Sequence, residues 1–318
     1  MTSKALNRLK MAGLLQCPRC TSVVLHTGGR YRCSNQQCLM YTRGFSVLRN
    51  RPVLVDFDNS IVSEGDFLER IGESAITRHT DSKTLRYHVR KFTRTRNLAA
   101  ERVAADLIVR LRGARCDAAN TILIIGSGEV GNGMEEIYVA ADIQRVGLDI
   151  YISDTTDIIG DAHSLPFADA TFGAVWIQAV LEHVLDPQLV VDEIWRVLRP
   201  GGLVFSSTPF MQQVHEGAYD FTRFTCSGHR WLYRRFEEIE SGPAIGAGTS
   251  LYWAIRYFFS AITGSRKWGN AIGLAFFWLK YFDRSTKLHE DGASVTYIYA
   301  YKSEKELLTS DIIRYYTK

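Results

Sequence analysis

The sequence lacks a long uninterrupted hydrophobic run, and we expect no secretory leader. Its two most apolar stretches lie within residues 245–284, and neither reaches the about 20 apolar residues that a membrane-spanning helix needs. The basic N-terminal residues precede no apolar segment with a cleavage site, so we expect a cytoplasmic protein. A disordered protein is excluded because 46% of the 318 residues are hydrophobic and 23% are charged. A chain of this length predicts two domains, or one domain with appendages.

Charge is spread unevenly along the chain. Residues 1–116 hold 21 of the 38 Lys and Arg residues but only 9 of the 34 Asp and Glu residues. A basic N-terminal part suits contact with RNA, an anionic membrane or a phosphorylated small molecule. The charges between Lys83 and Arg112 are equally well explained as the solvated face of an amphipathic helix.

A glycine-rich turn follows the clearest strand of the sequence. The aliphatic run ILII at 122–125 leads into GSGEVG at 126–131, which is typical of a buried parallel strand that ends in a tight turn, followed by a helix over 131–141. Glycine lets the backbone approach a ligand closely. A second strand over 145–150 ends in Asp149, whose carboxylate can accept hydrogen bonds from both hydroxyls of a ribose. The pattern predicts a ribose-bearing ligand.

Three further patterns follow in order, namely GDAHSLPF at 160–167, LEHV at 181–184 and LRPGG at 198–202. With the glycine turn, this set resembles the class I S-adenosylmethionine-dependent methyltransferases, in particular those that act on small molecules. The resemblance covers residues 117–241 and 294–303. It implies an α/β fold with a Rossmann-like, seven-stranded methyltransferase sheet.

The resemblance also implies S-adenosyl-L-methionine as the cofactor. Two positions depart from the family pattern, because Ile124 replaces an acid before the first glycine and Gly173 replaces an acid in the fourth strand. The segment from Gln178 to His183 is implied to close over the sulfonium. The implied cofactor-binding residues are Gly126, Ser127, Gly128, Asp149, Asp161, Ala162 and Gln178.

The loop after the fifth strand is rich in polar side chains and should point into the site. We predict that His215 is the catalytic base, that Asp220 orients it, and that Tyr219 and Arg223 bind the acceptor. A structural role, through hydrogen bonds within the loop or an Asp220–Arg223 pair, explains the presence of these residues as well. His183 is an alternative catalytic base. The loop resembles a segment of methyltransferases from bacterial polysaccharide and glycolipid gene clusters.

Four of the six cysteines form two close pairs, CPRC and CSNQQC. Paired thiolates on two turns can supply a tetrahedral zinc site, and the intervening residues fit a hairpin that turns at Gly28 and Gly29. Two disulfides, or a ribbon that no longer binds metal, are the alternatives. The unit resembles zinc ribbons that accompany methyltransferases. We predict a structural zinc ion bound by Cys17, Cys20, Cys33 and Cys38.

Three domains are predicted from these patterns: a zinc ribbon over 1–58, a helical connector over 59–116 and the methyltransferase domain over 117–318. In the connector, Tyr87, His88 and Arg90 are placed where they could reach a ligand, although packing or solvation explains them as well. Residues 245–284 form an apolar helical cap insertion between the last two strands. This insertion either packs as a lid, lines an apolar acceptor pocket or contacts the cytoplasmic face of a membrane.

Three functions remain open from the sequence. The leading hypothesis is O-methylation of a sugar in a surface polysaccharide or a lipid-linked glycan precursor, with a small-molecule or lipid-linked acceptor. The second is methylation of an rRNA or tRNA base, which the basic ribbon permits. Against it, the sequence has no Asn-Pro-Pro-Tyr-type motif after the fourth strand. The third is a non-catalytic scaffold with this fold.

Overall fold

A nine-stranded mixed sheet forms the centre of the structure, a computed structural model that describes residues 4–69, 95–113, 120–284 and 290–317. The strands are β1 (Val24–Thr27), β2 (Arg30–Cys33), β3 (Val47–Leu48), β4 (Arg51–Leu54), β5 (Thr121–Ile125), β6 (Gln144–Asp149), β7 (Ile158–Gly160), β8 (Phe172–Gln178), β9 (Leu198–Pro209), β10 (Phe236–Ile245) and β11 (Val295–Lys302). The helices are α1 (Lys4–Met11), α2 (Leu39–Thr42), α3 (Glu64–Glu69), α4 (Leu98–Gly113), α5 (Glu135–Val139), α6 (Pro187–Val197), α7 (Cys226–Leu232), α8 (Ala247–Thr263) and α9 (Arg266–Leu274).

The strand order of the large sheet is β10-β11-β9-β8-β5-β6-β7-β4-β3. The strands from β9 to β4 in this order run parallel, whereas β11 runs antiparallel to both β9 and β10. The α/β fold is as predicted. The predicted count of seven strands is wrong for this sheet, because the hairpin β3–β4 extends it beyond β7.

The extension depends on parallel pairing between β4 and β7. Val53 lies opposite Ile159, and Leu54 lies opposite Gly160. Without this pairing β7 would present unpaired backbone groups at the edge of the sheet, so the hairpin covers an otherwise open edge. The sequence indicates both strands of the hairpin but carries no local signal for their distant partner.

The predicted helix before β5 is confirmed over the described residues of α4. Val103, Leu107 and Leu111 are buried at three- to four-residue spacing against the sheet, as a helix with one apolar face requires. Asn97 caps its start, since its Oδ1 accepts a hydrogen bond from the backbone N–H of Ala100 at 2.9 Å. The candidate residues Tyr87, His88 and Arg90 of the predicted connector lie outside the described residues.

The helix expected over 131–141 is shorter than predicted, since α5 begins only at Glu135. Gly133 has a φ of +94°, a left-handed value that interrupts helical geometry. A side chain at this position would also approach Ala100 of α4 to 2.8 Å. The glycine segment therefore stays an open turn along the cleft.

The N-terminal ribbon packs directly on the methyltransferase-like part of the chain. Its β1–β2 hairpin turns at Gly28 and Gly29, both with positive φ, as predicted. The backbone N–H of Gln16 donates to the carbonyl of Pro166 at 3.0 Å, and Leu15 and Phe167 belong to one hydrophobic core. The boundaries at residues 58 and 116 stay predictions, and the packing joins the ribbon to the sheet.

The insertion between β10 and β11 is helical, as predicted, and consists of α8, α9 and a 3₁₀ segment over Phe277–Arg284. Glycines of α9 let it approach α8 closely, because a side chain at Gly269 or Gly273 would overlap Arg256 and Ser260. None of the helices in the described residues combines the length and the apolar character that a membrane span requires. Its roles as a cap or in peripheral membrane contact stay predictions.

Candidate active site

A cleft of about 1150 Å³ opens at the carboxyl ends of β5, β6 and β8. Ligands of open parallel sheets bind at this edge, so its position agrees with the sequence prediction. One wall comes from the N-terminal part, which contributes Arg49, Ile61 and Val62. The residues that matter most to its chemistry are Gly126, Gly128, Gly131, Asp149, Asp161, Ala162, Gln178, His183, His215 and Tyr219.

The glycine turn forms a cradle that no side chain could share. Gly126 has a φ of +79°, and a Cβ there would overlap the Cγ2 of Val180. A Cβ on Gly128 would lie 2.9 Å from the Oδ2 of Asp149, and one on Gly131 would lie 2.5 Å from the Oε1 of Gln178. The three glycines therefore keep backbone exposed to the cleft at the tip of β5.

Asp149 points toward this turn from the tip of β6. Its Oδ2 accepts a hydrogen bond from the backbone N–H of Gly128 at 2.7 Å, and its Oδ1 accepts one from the N–H of Tyr151 at 2.9 Å. An ionised carboxylate offers about four lone-pair positions. Two backbone donors thus fix the side chain at the edge of the cleft, which Asp149 lines.

Asp161 lies on the opposite wall and is held by two parts of the chain. Its Oδ1 accepts from the backbone N–H of His163 at 2.9 Å and lies 2.6 Å from the Nδ1 of that residue, while its Oδ2 accepts from the Oγ of Ser60 at 2.6 Å. Burial opposes ionisation, but these hydrogen bonds outweigh it and lower the pKa of Asp161. Ser60 is 101 positions away in the sequence, so only the fold reveals this contact.

Gln178 connects the end of β8 to the glycine turn. Its Oε1 accepts from the Nε1 of Trp176, and its Nε2 donates to the carbonyl of Asn132, both at 3.2 Å. The next residue, Ala179, has a φ of +55°, an uncommon left-handed conformation for a non-glycine residue. This conformation turns the chain into the segment that carries the LEHV motif.

Ser127 is the one predicted cofactor residue that the structure does not bring to the cleft. It is fully buried, and its Oγ donates to the Oγ1 of Thr156 at 3.4 Å behind the turn. Its carbonyl accepts a hydrogen bond from the Oγ1 of Thr155. The side chain supports the turn from below, where it has no access to a ligand.

Two histidines and a glutamate meet at the end of the cleft that His183, His215 and Tyr219 line. The Nδ1 of His183 lies 2.6 Å from the carbonyl oxygen of Tyr219, and the Nδ1 of His215 lies 3.2 Å from the Oδ2 of Asp220. Their Nε2 atoms lie 3.7 Å and 4.0 Å from the Oε1 of Glu182, respectively. Burial and the neighbouring His183 lower the pKa of His215, which favours its neutral, proton-accepting form at neutral pH.

Glu182 is a candidate site residue that sequence reasoning missed. It is fully buried, and its Oε2 accepts from the Oγ1 of Thr208 at 3.3 Å. Its Oε1 has no hydrogen-bond partner among the described residues. Burial raises the pKa of this carboxyl to about 8. The only local signal was an acid beside a histidine in LEHV, a motif that the resemblance associates with the cofactor side.

Asp220 and Arg223 lie behind His215 and do not line the cleft. The guanidinium makes a two-pronged ion pair with Asp220, with Nη2 at 2.7 Å from Oδ2, and its Nε donates to the carbonyl of Gln212 at 3.0 Å. Burial opposes ionisation of Asp220, but the Arg223 hydrogen bonds hold its pKa at about 2. The geometry thus agrees with Asp220 orienting His215, whereas Arg223 is used within the loop.

The four predicted zinc ligands converge in the ribbon. The Sγ atoms of Cys17 and Cys38 lie 3.9 Å apart, those of Cys20 and Cys33 lie 3.4 Å apart, and all four lie within 4.8 Å of one another. A tetrahedral zinc site with Zn–S bonds of about 2.3 Å separates its sulfurs by about 3.8 Å. All four cysteines are free thiols, and the donor set fits a closed, structural zinc site.

Residues 126–206, which run from the glycine turn into β9, match the family described as a methyltransferase domain. Over this segment the chain is similar to methyltransferase domains. The matched segment contains Asp149, Asp161, Gln178 and the LEHV motif, so the fold, the cleft and the family match refer to the same residues.

Short segments of the chain are similar to two kinds of curated methyltransferase. It is 42% identical over 71 residues to the ubiquinone/menaquinone biosynthesis C-methyltransferase of Roseobacter denitrificans, which covers 21% of this chain and 28% of the relative. It is 39% identical over 57 residues to the malonyl-[acyl-carrier protein] O-methyltransferase of Erwinia billingiae, with 18% and 23% covered. The match thus spans about a quarter of the length of these relatives.

Among solved structures, the chain is similar to phosphoethanolamine N-methyltransferase 2 of Haemonchus contortus, solved with S-adenosyl-L-methionine, at a TM-score of 0.43 and 15% identity. That likeness covers 79% of this chain and 61% of the other. The [4+2]-cyclase SpnF gives a TM-score of 0.38 at 19% identity over 64% of this chain and 82% of its own. Both likenesses are too distant to bear on activity or acceptor.

Proposed function

We propose that this protein is an S-adenosylmethionine-dependent methyltransferase whose cofactor lies across the glycine turn. The observation that carries the proposal is Asp149, a carboxylate that two backbone donors hold at the tip of β6, where it lines the cleft beside the glycine turn. The backbone of Gly126, Gly128 and Gly131 lines the cleft and would contact the amino-acid part of the cofactor, while Asp161 and Ala162 would face the adenine. When bound, the cofactor supplies an electrophilic methyl group.

The acceptor is proposed to be a hydroxyl compound that enters at the end of the cleft formed by His183, His215 and Tyr219. These residues and Glu182 gather proton-accepting atoms beside the proposed methyl donor. O-methylation requires alignment of the hydroxyl and removal of its proton, and this cluster can provide both. Asp220 holds the exposed member of the cluster, His215, in place.

The identity of the acceptor is proposed at the level of chemical class. A sugar of a surface polysaccharide or lipid-linked glycan follows from the resemblance of the His215 loop, whereas the two relatives' names refer to a quinone pathway and to malonyl-[acyl-carrier protein]. An apolar portion of the acceptor is supported by the insertion. Tyr257 of α8 donates to the carbonyl of Val214 in the His215 loop at 3.0 Å, and the neighbouring aromatic residue Phe258 is exposed.

The proposed zinc ion has a structural role. Its four thiolate ligands would leave no open coordination position for substrate or water. The ribbon's contact with the 160–167 segment supports the position of Asp161, since Ser164 donates to the carbonyl of Pro18 at 2.6 Å. Zinc thus supports the cleft at a distance from the methyl-transfer site.

The test is calorimetric titration of the full chain with S-adenosylmethionine. Asp149→Asn keeps an oxygen that can accept from Gly128 but removes the charge and one acceptor position. Because a hydrogen bond to a charged group is worth about 1.5 to 3 kcal/mol, we expect roughly a ten- to hundredfold weaker affinity in this variant.

Asp142→Asn is the matched control, since this exposed carboxylate pairs with Arg112 away from the cleft. Its affinity should equal that of the unmodified protein. If the unmodified protein does not bind the cofactor, the chain is the non-catalytic scaffold that the sequence left open. If it binds but Asp149→Asn is neutral, the assigned orientation of the cofactor is wrong.

A further inference from the structure

We propose that Glu182, His183 and His215 form a binding site for a divalent transition-metal cation at the acceptor end of the cleft. One ligand atom from each residue converges on the same space, since the three atoms all lie within 4.8 Å of one another, and the Oε1 of Glu182 is 3.7 Å from the Nε2 of His183 and 4.0 Å from the Nε2 of His215. This site is separate from the four cysteines and differs from them in donor chemistry. Imidazole and carboxylate ligands accept zinc, manganese and iron, whereas a full thiolate set selects zinc.

The hydrogen bonds behind the histidines determine which nitrogen faces the site. The Nδ1 of His183 can only donate to the carbonyl oxygen of Tyr219, and the Nδ1 of His215 faces the carboxylate of Asp220. With Nδ1 donating to these acceptors, Nε2 is the ring atom of each histidine that faces Glu182 and can bind a cation. Metal-binding histidines usually have this arrangement, in which an acceptor behind the ring fixes its tautomer.

The buried carboxyl group of Glu182 independently indicates a ligand at this position. Its side chain is 1% exposed, and its Oε1 has no hydrogen-bond partner among the described residues. A buried polar atom without a partner is unfavourable by about 1 to 3 kcal/mol. A proton on Glu182 would not satisfy the group, because separations of 3.7 Å and 4.0 Å to the Nε2 atoms are too long for a hydrogen bond.

The separations suit a cation held between the three atoms. With bonds of about 2.0 to 2.2 Å to nitrogen and oxygen, tetrahedral ligand atoms lie about 3.4 Å apart. The observed 3.7 Å and 4.0 Å would need only small side-chain adjustments to reach this value. Two histidines and one carboxylate leave coordination positions open, and the exposed position of His215 gives the ion access from solvent.

The consequence for catalysis rests on the proposed function, whereas metal binding itself does not. An acceptor hydroxyl that occupies an open position would be oriented and made more acidic by the cation. His215 would then act as a ligand, and the hydroxyl proton would pass to water. This changes the role predicted for His215 from base to metal ligand.

The experiment measures manganese binding to the full chain. The cysteine site is first filled with one equivalent of zinc, and Mn²⁺ is then titrated while the electron paramagnetic resonance signal of the free ion is recorded. We expect one Mn²⁺ per chain, with affinity lowered at least about tenfold in His183→Ala, His215→Ala and Glu182→Gln. His26→Ala, a histidine on β1 outside the cleft, should bind Mn²⁺ as the unmodified protein does.

Two results would overturn the proposal: no stoichiometric Mn²⁺ binding, or isotherms that are the same in all four variants. His215→Ala should leave the fold intact, because this residue lies in an exposed loop. Thermal unfolding of each variant checks directly that it is folded. Cofactor titration without manganese is a separate readout. Retained cofactor binding with no manganese site would remove the metal proposal and leave the proposed function standing.

Discussion

At the scale of single residues, Gly126 meets the strictest steric requirement in the cleft. Its backbone is left-handed, and a Cβ would overlap Val180. A left-handed conformation is unfavourable for other L-residues by about 1 to 2 kcal/mol, and the overlap adds to this. We expect Gly126→Ala to lower the free energy of unfolding by about 1 to 3 kcal/mol in urea denaturation.

Gly113→Ala provides the comparison for this change. Gly113 is the last residue of α4, has no neighbour within 4 Å of an added Cβ and lacks a left-handed backbone. Alanine there should leave stability unchanged or raise it by up to about 1 kcal/mol. Equal losses at the two glycines would show that the turn at Gly126 tolerates a side chain.

Single residues also show how far sequence reasoning reached into the site. Asp149 and His215 were found because each ends or follows a recognisable strand, and the carboxyl ends of neighbouring parallel strands share one edge. Ser127 and Arg223 were placed in the site by motif, but their side chains form hydrogen bonds behind it. Side-chain direction in a turn or loop depends on tertiary contacts that a motif does not specify.

At the scale of elements, β4 couples the N-terminal part to the sheet. Leu54 is fully buried in the core that contains both the ribbon and the central strands. Leu54→Ala should therefore lower the free energy of unfolding by about 2 to 5 kcal/mol, as for other buried leucines. All six tryptophans lie between Trp176 and Trp278, so their fluorescence reports unfolding of the methyltransferase domain alone.

The control for this element is Val47→Ala in β3. Val47 is 43% exposed, and its truncation should change stability by no more than about 0.5 kcal/mol. If Leu54→Ala leaves the tryptophan-detected transition in place, the hairpin unfolds independently of the sheet. That result would favour the predicted boundary near residue 58 as a boundary between separately stable units.

At the scale of the whole molecule, zinc in the ribbon should stabilise the methyltransferase domain. Cys17 and Cys33 belong to the same hydrophobic core as Phe167 and the central strands. A ligand that binds only the folded state, held at about 100 times its dissociation constant, contributes about 2.7 kcal/mol. We expect a chelator to lower the tryptophan-detected stability of the full chain by about this amount.

Cys17→Ser tests the same coupling without a chelator. The variant should be less stable than the unmodified protein, and adding chelator should lower its stability little further because one ligand is already missing. Metal analysis of both proteins accompanies the measurement. A chelator that removes zinc without moving the tryptophan transition would show that the ribbon does not support the domain.

By itself the sequence determined the features that depend on neighbouring residues. Glycine spacing specified the turn after β5, cysteine spacing brought four thiols together, and apolar periodicity specified the buried face of α4. Tertiary structure alone decided which distant segments meet, including the pairing of β4 with β7 and the contact of Ser60 with Asp161. It also placed the Nε2 of His215 opposite the buried Oε1 of Glu182. Backbone pairing and side-chain convergence require the folded chain, because local residue patterns do not encode the partner that folding brings near.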